Sequence, residues 1–356
     1  MIRKLIINNL KSIKNLEMEC SNINLLIGTN SSGKSSIIQG LLFLGQNSEA
    51  AVGLNGSFIS LGTLEENRCV YSEKKEISAE IEDEDNHQWK ASLYYNHNVL
   101  TLNRNYGLDE DNPLKINMQY LSCHRLGPQN VYKKNMSIDE RIGNNGEFAI
   151  AYLNSHGTDV LDEKLCREMK DFTLLGQINW WLNYITEADI STEEIIGTDL
   201  VKASYSMNDL RGIRPENIGS GISYLISILI MCLASQENAV LVIENPEIHL
   251  HPSAQAKVCE FLYFIARTNR QLFVESHSDH IFNGFRAGIT TGEMDDDEIN
   301  MQFVQLNEEH ITETQKIKIG RLGRIENQQR GLFDQFDLDM NRMIGVRGDK
   351  DGADFK

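Results

Sequence analysis

The sequence predicts an α/β fold with a mixed sheet, an N-terminal antiparallel β insert and a helical insert. Three observations lead there. Short apolar runs, Ile23–Ile27 and Ala239–Ile243, read as buried strands, each followed by a helical pattern. Between about residues 53 and 121, apolar alternation is broken by Gly, Asn and Asp turns, as in antiparallel strands. The chain has 356 residues, 41% of them hydrophobic and 24% charged, with five prolines, enough for a sizeable core and unlike a disordered chain.

The elements follow in order. Residues 2–27 alternate as short strands around a turn, with Leu5 and Ile7, then Ile23, Leu25 and Ile27, on the apolar face. A Gly- and Ser-rich loop leads into an amphipathic helix over about 34–44. Phe58–Leu61, Glu76–Ile81, Trp89–Tyr95 and Val99–Leu102 are the expected strands of the β-rich part. Residues 146–203 are expected to be mostly helical, anchored by Trp180, Trp181 and Tyr184. From Gly219 onward helix and strand alternate, with Gln271–Val274 a further strand and Pro252–Ala266 a helix opened by proline. The expected division is 1–52, an N-terminal lobe; 53–125, the β-rich insert; 126–216, a helical lobe; 217–286, a second sheet lobe; 287–344, a small C-terminal module; and 345–356, a disordered tail.

Charge and composition exclude several roles. With 34 basic and 51 acidic side chains the net charge is −17, which repels a phosphate backbone on average, and no basic cluster is visible. DNA contact is therefore not supported by charge. The six cysteines, Cys20, Cys69, Cys123, Cys166, Cys232 and Cys259, form no CxxC pair, against a zinc module or a secreted disulfide framework. The most apolar stretch, 222–234, is shorter than the roughly 20 residues a bilayer span takes. The N-terminus has no long apolar region of the signal-peptide kind, so the expected location is cytoplasmic, with no membrane partner.

Two motifs carry chemistry. Gly28-Thr29-Asn30-Ser31-Ser32-Gly33-Lys34-Ser35 fits GxxxxGK[ST], with an apolar strand before it and a helix from about Lys34 after it, and Ser36 is a further nucleotide-binding candidate. Glycines let such a loop turn its N–H groups toward phosphate oxygens, Lys34 adds a cation, and the Ser35 hydroxyl is a magnesium ligand. These features imply a nucleoside triphosphate with Mg2+, and the loop alone does not say which nucleotide; the resemblance below implies ATP. Further on, the apolar strand Val240–Ile243 ends in Glu244, where an acid holds magnesium, partly through water.

The run Glu244-Asn245-Pro246-Glu247-Ile248-His249-Leu250-His251-Pro252 resembles the Walker B and D-loop segment of ABC-type ATPases, the class of SMC proteins, RecF and the OLD nucleases. Asn9-Leu10-Lys11-Ser12 resembles the turn those heads set beside nucleotide, which gives Lys11 and Ser12 a binding role. Gly219-Ser220-Gly221, before a long apolar helix, stands where the ABC signature belongs. Glu275-Ser276-His277-Ser278 follows a strand, where the switch histidine, His277, belongs. More narrowly, these runs and Gly331-Leu332-Phe333-Asp334-Gln335 resemble a compact bacterial group of AAA-type ATPases with a GFFDQ-like C-terminal module, often found in anti-phage defence operons. The resemblance implies a P-loop ABC-ATPase head, a homodimer closed around ATP. In it Gly219–Gly221 of one subunit meet the nucleotide of the other, and His277 senses the terminal phosphate.

Two positions depart from that pattern. Asn245 stands where a glutamate usually polarises the attacking water, and an amide cannot take a proton. Glu247 is the candidate base, with a structural D-loop contact as the other reading; slow turnover is expected either way. Gly219 replaces the usual signature serine. Gln129 is a candidate Q-loop residue or a turn residue, and Arg125 serves phosphate or holds a carboxylate in the core. His249, His251, His277 and His280 read better as D-loop and switch residues than as a metal site.

No nuclease motif is seen beyond the switch, so the expected role is regulation of a separately encoded protein effector, such as a nuclease. A RecF-like DNA-maintenance head is the alternative. A transporter subunit and a binding-only ATPase are further readings.

Overall fold

The computed structural model describes residues 1–105, 116–137, 141–167, 169–329, 331–333, 339–340 and 343. The expected tail 345–356 and the Asp334-Gln335 part of the C-terminal motif lie outside them.

Strands β1 (Ile2–Leu10) and β2 (Ile13–Glu19) form a hairpin, and β3 (Ile23–Gly28) runs into helix α1 (Lys34–Glu49). A short helix α2 (Leu64–Asn67) precedes β4 (Ile77–Asp83), β5 (Gln88–Asn96), β6 (Val99–Asn105), β7 (Met118–Leu121) and β8 (Tyr132–Lys133). Then come α3 (Ala149–His156), α4 (Leu174–Thr186), β9 (Ala188–Glu194), β10 (Leu200–Met207) and β11 (Leu210–Ile213). The last part holds α5 (Ser220–Ala234), β12 (Val240–Glu244), α6 (Pro252–Ala266), β13 (Gln271–Glu275), α7 (Asp279–Thr291), β14 (Ile299–Leu306) and β15 (Thr312–Lys316).

These strands form three sheets. The central one has order β15-β14-β3-β13-β12-β7, parallel except for β15, which makes it the expected mixed sheet. An antiparallel sheet, β2-β1-β4-β5-β6, covers one of its faces. A smaller one joins β8, β9, β10 and β11.

Alternation along the central strands divides the core in two. Leu26, Val240, Val242, Phe273 and Val304 face α1 and the antiparallel sheet. Leu25, Ile27, Leu241, Ile243, Leu272 and Val274 face α5, α6 and α7. Helix α5 is apolar on nearly every side and buried accordingly. Among the described residues no helix is long and apolar enough to cross a membrane.

Several expectations need correction. The β-rich insert is not separate: β4 pairs with β1 over Asn8↔Ser78 to Ile2↔Asp83, extending the N-terminal hairpin. Phe58–Leu61 forms no strand; Gln46, on α1, accepts its backbone N–H groups at Phe58 and Ile59 instead. The 146–203 stretch is not mostly helical, because β9 and β10 pair antiparallel along seven positions, with alternating Ala188, Ile190, Val201, Ala203 and Tyr205 buried. Residues 287–344, expected as a small module, give β14 and β15 to the central sheet, β14 pairing with β3 from Ile299↔Ile23 to Val304↔Gly28.

Candidate functional site

The ends of β3, β13 and β12 lie side by side. Parallel register sets Glu275 against Leu26 on one side and against Glu244 on the other. Side chains at the carboxyl ends of neighbouring parallel strands converge on one crevice. That crevice receives the loop 28–33 and the first turn of α1.

The loop is held from outside itself. Gly28 has φ +150 and Gly33 φ +106, conformations that L side chains rarely take. A Cβ on Gly28 would stand 2.0 Å from the Val304 carbonyl oxygen, and one on Gly33 2.2 Å from Thr312 Oγ1. Thr312 Oγ1 donates to the Ser32 carbonyl at 3.0 Å and lies 2.7 Å from Ser12 Oγ. The turn that carries Lys11 and Ser12 is thereby tied to the loop. Lys11 itself donates to Gln39 Oε1 on α1 at 2.6 Å. Thr29, Asn30 and Ser31 form the exposed tip, and Ser36 is buried in the first turn of α1.

Lys34 is buried and bends back to donate to the carbonyls of Gly28, at 3.0 Å, and Thr29, at 2.7 Å. Burial lowers its pKa, and the neighbouring Glu275 opposes the shift. Ser35 Oγ donates to Glu275 Oε1 at 3.0 Å. Burial, then the Glu244 carboxylate beside it, pushes Glu275 up to about 7. Its Oε2 has no hydrogen-bond partner. Glu244 is buried and accepts from the Cys123 backbone N–H at 2.9 Å.

Beyond Glu244 the chain turns sharply. Asn245 has φ +45, and its N–H donates to the Glu275 carbonyl at 2.7 Å, while its Oδ1 is buried without a partner. Arg125 fixes this turn. Its guanidinium donates to the carbonyls of Ser122, Glu244 and Asn245. Burial lowers its pKa to about 10. Arg125 thus grips backbone, and among the described residues no core carboxylate is its hydrogen-bond partner.

Glu247 Oε1 accepts from the His277 backbone N–H at 2.8 Å, and burial raises the Glu247 pKa. His277 Nε2 lies 3.8 Å from Glu275 Oε1. Burial, and then the charge of Lys34, lowers the His277 pKa, so the ring is neutral near pH 7. Glu275 thus bonds Ser35 and Asn245, pairs in the sheet with Glu244 and lies near Lys34 and His277, whose backbone N–H holds Glu247.

Two sets stand apart. Gly219 and Ser220 open α5, and no hydrogen bond among the described residues joins 219–221 to the loop 28–35. Gly221 packs on the D-loop, where an added Cβ would be 2.4 Å from the His249 carbonyl. Gln129 is exposed, and its backbone N–H donates to the Tyr132 hydroxyl. The segment after β7 that reaches the crevice is Ser122–Arg125. His249 packs on the Tyr224 ring and His251 caps α6, so these rings are used structurally and away from His277.

Sequence reasoning missed Glu275 and Thr312. Glu275 stands in the run with His277 and ends an apolar strand, the same signal that marked Glu244. Thr312 had no local signal, since its contact with Ser32 spans 280 positions.

The group fits a phosphate chain with a divalent cation. The glycine cradle leaves no room for side chains, the Ser32 hydroxyl is buried without a partner, and Lys34 is satisfied by its own loop's carbonyls. Two adjacent buried carboxylates, one with an unpartnered oxygen, form the hard oxygen set that magnesium takes.

Comparisons with known proteins agree. The AAA ATPase domain family matches residues 1–173 and 173–282. Among solved structures, an SMC head bound to the C-winged helix domain of ScpA is similar with TM-score 0.57 and 13% identity, covering 89% of this chain and 98% of that one. An SMC head with an extended coiled coil, bound to the C-terminal domain of ScpA, from Pyrococcus furiosus, has TM-score 0.54 and 13% identity, covering 98% and 99%. At such identity the likeness shows the fold, that of an SMC-type head. No curated protein matches the chain.

Proposed function

The chain belongs to the AAA ATPase domain family, and on that premise we propose that it binds ATP with Mg2+ and hydrolyses it slowly. Closing as a homodimer around ATP, it regulates a separately encoded effector, such as a nuclease in a bacterial defence system. The observation that carries the reading is the convergence of Lys34, Ser35, Glu244 and Glu275 at three adjacent strand ends.

Bound there, Mg·ATP supplies the transferable phosphoryl group and the divalent charge. The chain's own residues do the rest. Lys34, which bonds the carbonyls of Gly28 and Thr29, would meet phosphate oxygens, and Ser35 and Glu244 would hold the cation, Glu244 partly through water. Neutral His277 donates a hydrogen bond toward the terminal phosphate. Asn245 orients water without accepting its proton. Glu247, its pKa raised by burial, is the group able to take that proton. Its bond to the His277 backbone also links the D-loop to the switch.

Dimer closure is supported by the open N-terminus of α5, and a protein partner by similarly folded SMC heads solved with ScpA domains. The test is calorimetric titration of ATP·Mg2+ into wild-type protein and Lys34→Ala. Wild-type binding with a loss of at least about 100-fold in the variant is expected. Equal binding by both would overturn the reading.

A further inference from the structure

At the far end of the molecule from this crevice lies a cleft of about 840 Å³ between α4 and the C-terminal half of α6. Helix α6 leaves the carboxyl end of β12 and returns to the start of β13, so its last turn stands at the opposite edge of the sheet. Trp181, Tyr263 and Phe264 form the aromatic wall, and Lys164, Arg167 and Arg267 surround it.

In a chain of net charge −17, three exposed cations, Lys164, Arg167 and Arg267, outnumber the two acids, Glu260 and Glu293, in the lining of this cleft. Arg167 lies over the Trp180 ring, 6.0 Å from its centroid, and Arg267 over Tyr263, 5.8 Å from its centroid. Arg267 lies 4.0 Å from the Glu298 carboxylate, whereas among the described residues neither Lys164 nor Arg167 has an ion-pair partner. The Trp181 indole N–H is buried and has no acceptor. Trp, Tyr and Arg gathered in a concave, partly desolvated place are the composition of binding hot spots.

We propose that this cleft docks an acidic, aromatic- or aliphatic-bearing segment of a partner protein. It offers a seat to the effector inferred above, and in that respect rests on that reading. Carboxylates of the segment meet Lys164, Arg167 and Arg267, while its apolar side chains cover the aromatic wall. Nucleic acid fits the cleft less well. The ring faces are in use: Trp180 stacks on Tyr184 at 5.5 Å, and Trp181 meets Phe261 edge-on at 5.0 Å. Bases need open ring faces to stack.

The test is fluorescence anisotropy with the full chain and a labelled peptide of alternating Glu and Leu. Wild type is expected to bind it, more weakly as salt rises. Arg167→Glu with Arg267→Glu should lose at least about tenfold in affinity. Arg167→Lys with Arg267→Lys should keep most of it, which separates charge recognition from a folding defect. Lys34→Ala should bind the peptide like wild type, so failure of the nucleotide reading leaves this result standing. Absence of peptide binding by wild type, equal binding by the charge-reversed variant, or binding of oligo-dT instead, lost in that variant, would each overturn the proposal.

Discussion

Among the described residues, two α-helices begin at a glycine with no side-chain cap: α1 at Gly33 and α5 at Gly219. Their surroundings differ. The loop before α1 is enclosed by its own chain, with Val304 and Thr312 at the positions where side chains on Gly28 and Gly33 would go. Around Gly219 nothing lies within 4 Å of an added Cβ. Both helix starts carry unpaired amides that attract anions. Only the first has Lys34, two strand-end carboxylates and a neutral histidine beside it. The first turn is part of a site built within the chain; the second presents the same polarity with open space around Gly219 among the described residues. That contrast is what the proposed ATP-closed dimer would explain.

Substitutions can break the contrast at either end. The largest effect is expected at Gly28→Ala, where both φ and the Val304 carbonyl oppose a side chain. Stability should fall by roughly 3 kcal/mol or more, read by chemical denaturation. A loss under about 1 kcal/mol would mean the loop is not braced by β14.

Next comes the carboxylate pair. Glu275 has a folded pKa of about 7, above its unfolded value. The native state therefore holds a proton there that the unfolded chain has released, and stability falls as pH rises from the unfolded pKa toward about 7, then levels off. Glu275→Gln should remove that fall, gaining about 2–3 kcal/mol at pH 8 and almost nothing at pH 4, measured by denaturation across pH. A gain independent of pH would mean that burial and the neighbouring Glu244 do not raise this carboxyl.

Smaller in energy but sharper in meaning is Glu247→Gln. The ATPase rate should drop at least about tenfold with ATP affinity nearly unchanged, because the amide still accepts from His277 N but takes no proton. An unchanged steady-state rate would leave Glu247 with its structural contact alone. The smallest effect on folding is expected at Gly219→Ser, within about 0.5 kcal/mol of wild type since the space is open. The same change should strengthen ATP-dependent self-association, seen by sedimentation; weaker association would speak against a trans role for this turn.

Part of this architecture was legible in order along the chain. The phosphate loop, the strand ending in Glu244 and the proline-opened helix at 252–266 are local patterns, and α6 has the bounds its sequence predicts. The helical reading of 146–203 misled because Ala188, Ile190, Val201 and Ala203 are apolar enough for either state, and pairing between β9 and β10 decided it. Arg125 could be numbered but not interpreted, since its carbonyl partners at Glu244 and Asn245 lie about 120 positions away.

What the amino-acid order fixed by itself is the set of short-range conformations: glycines where the backbone must turn, a lysine and hydroxyl at a helix start, an acid closing an apolar strand. Tertiary structure alone decided which distant groups face them. Parallel register put Glu275 beside Glu244, and β14 and β15 brought Val304 and Thr312 against the loop. Spacing along a chain encodes local geometry, whereas contacts between strands far apart in sequence depend on how the whole sheet closes.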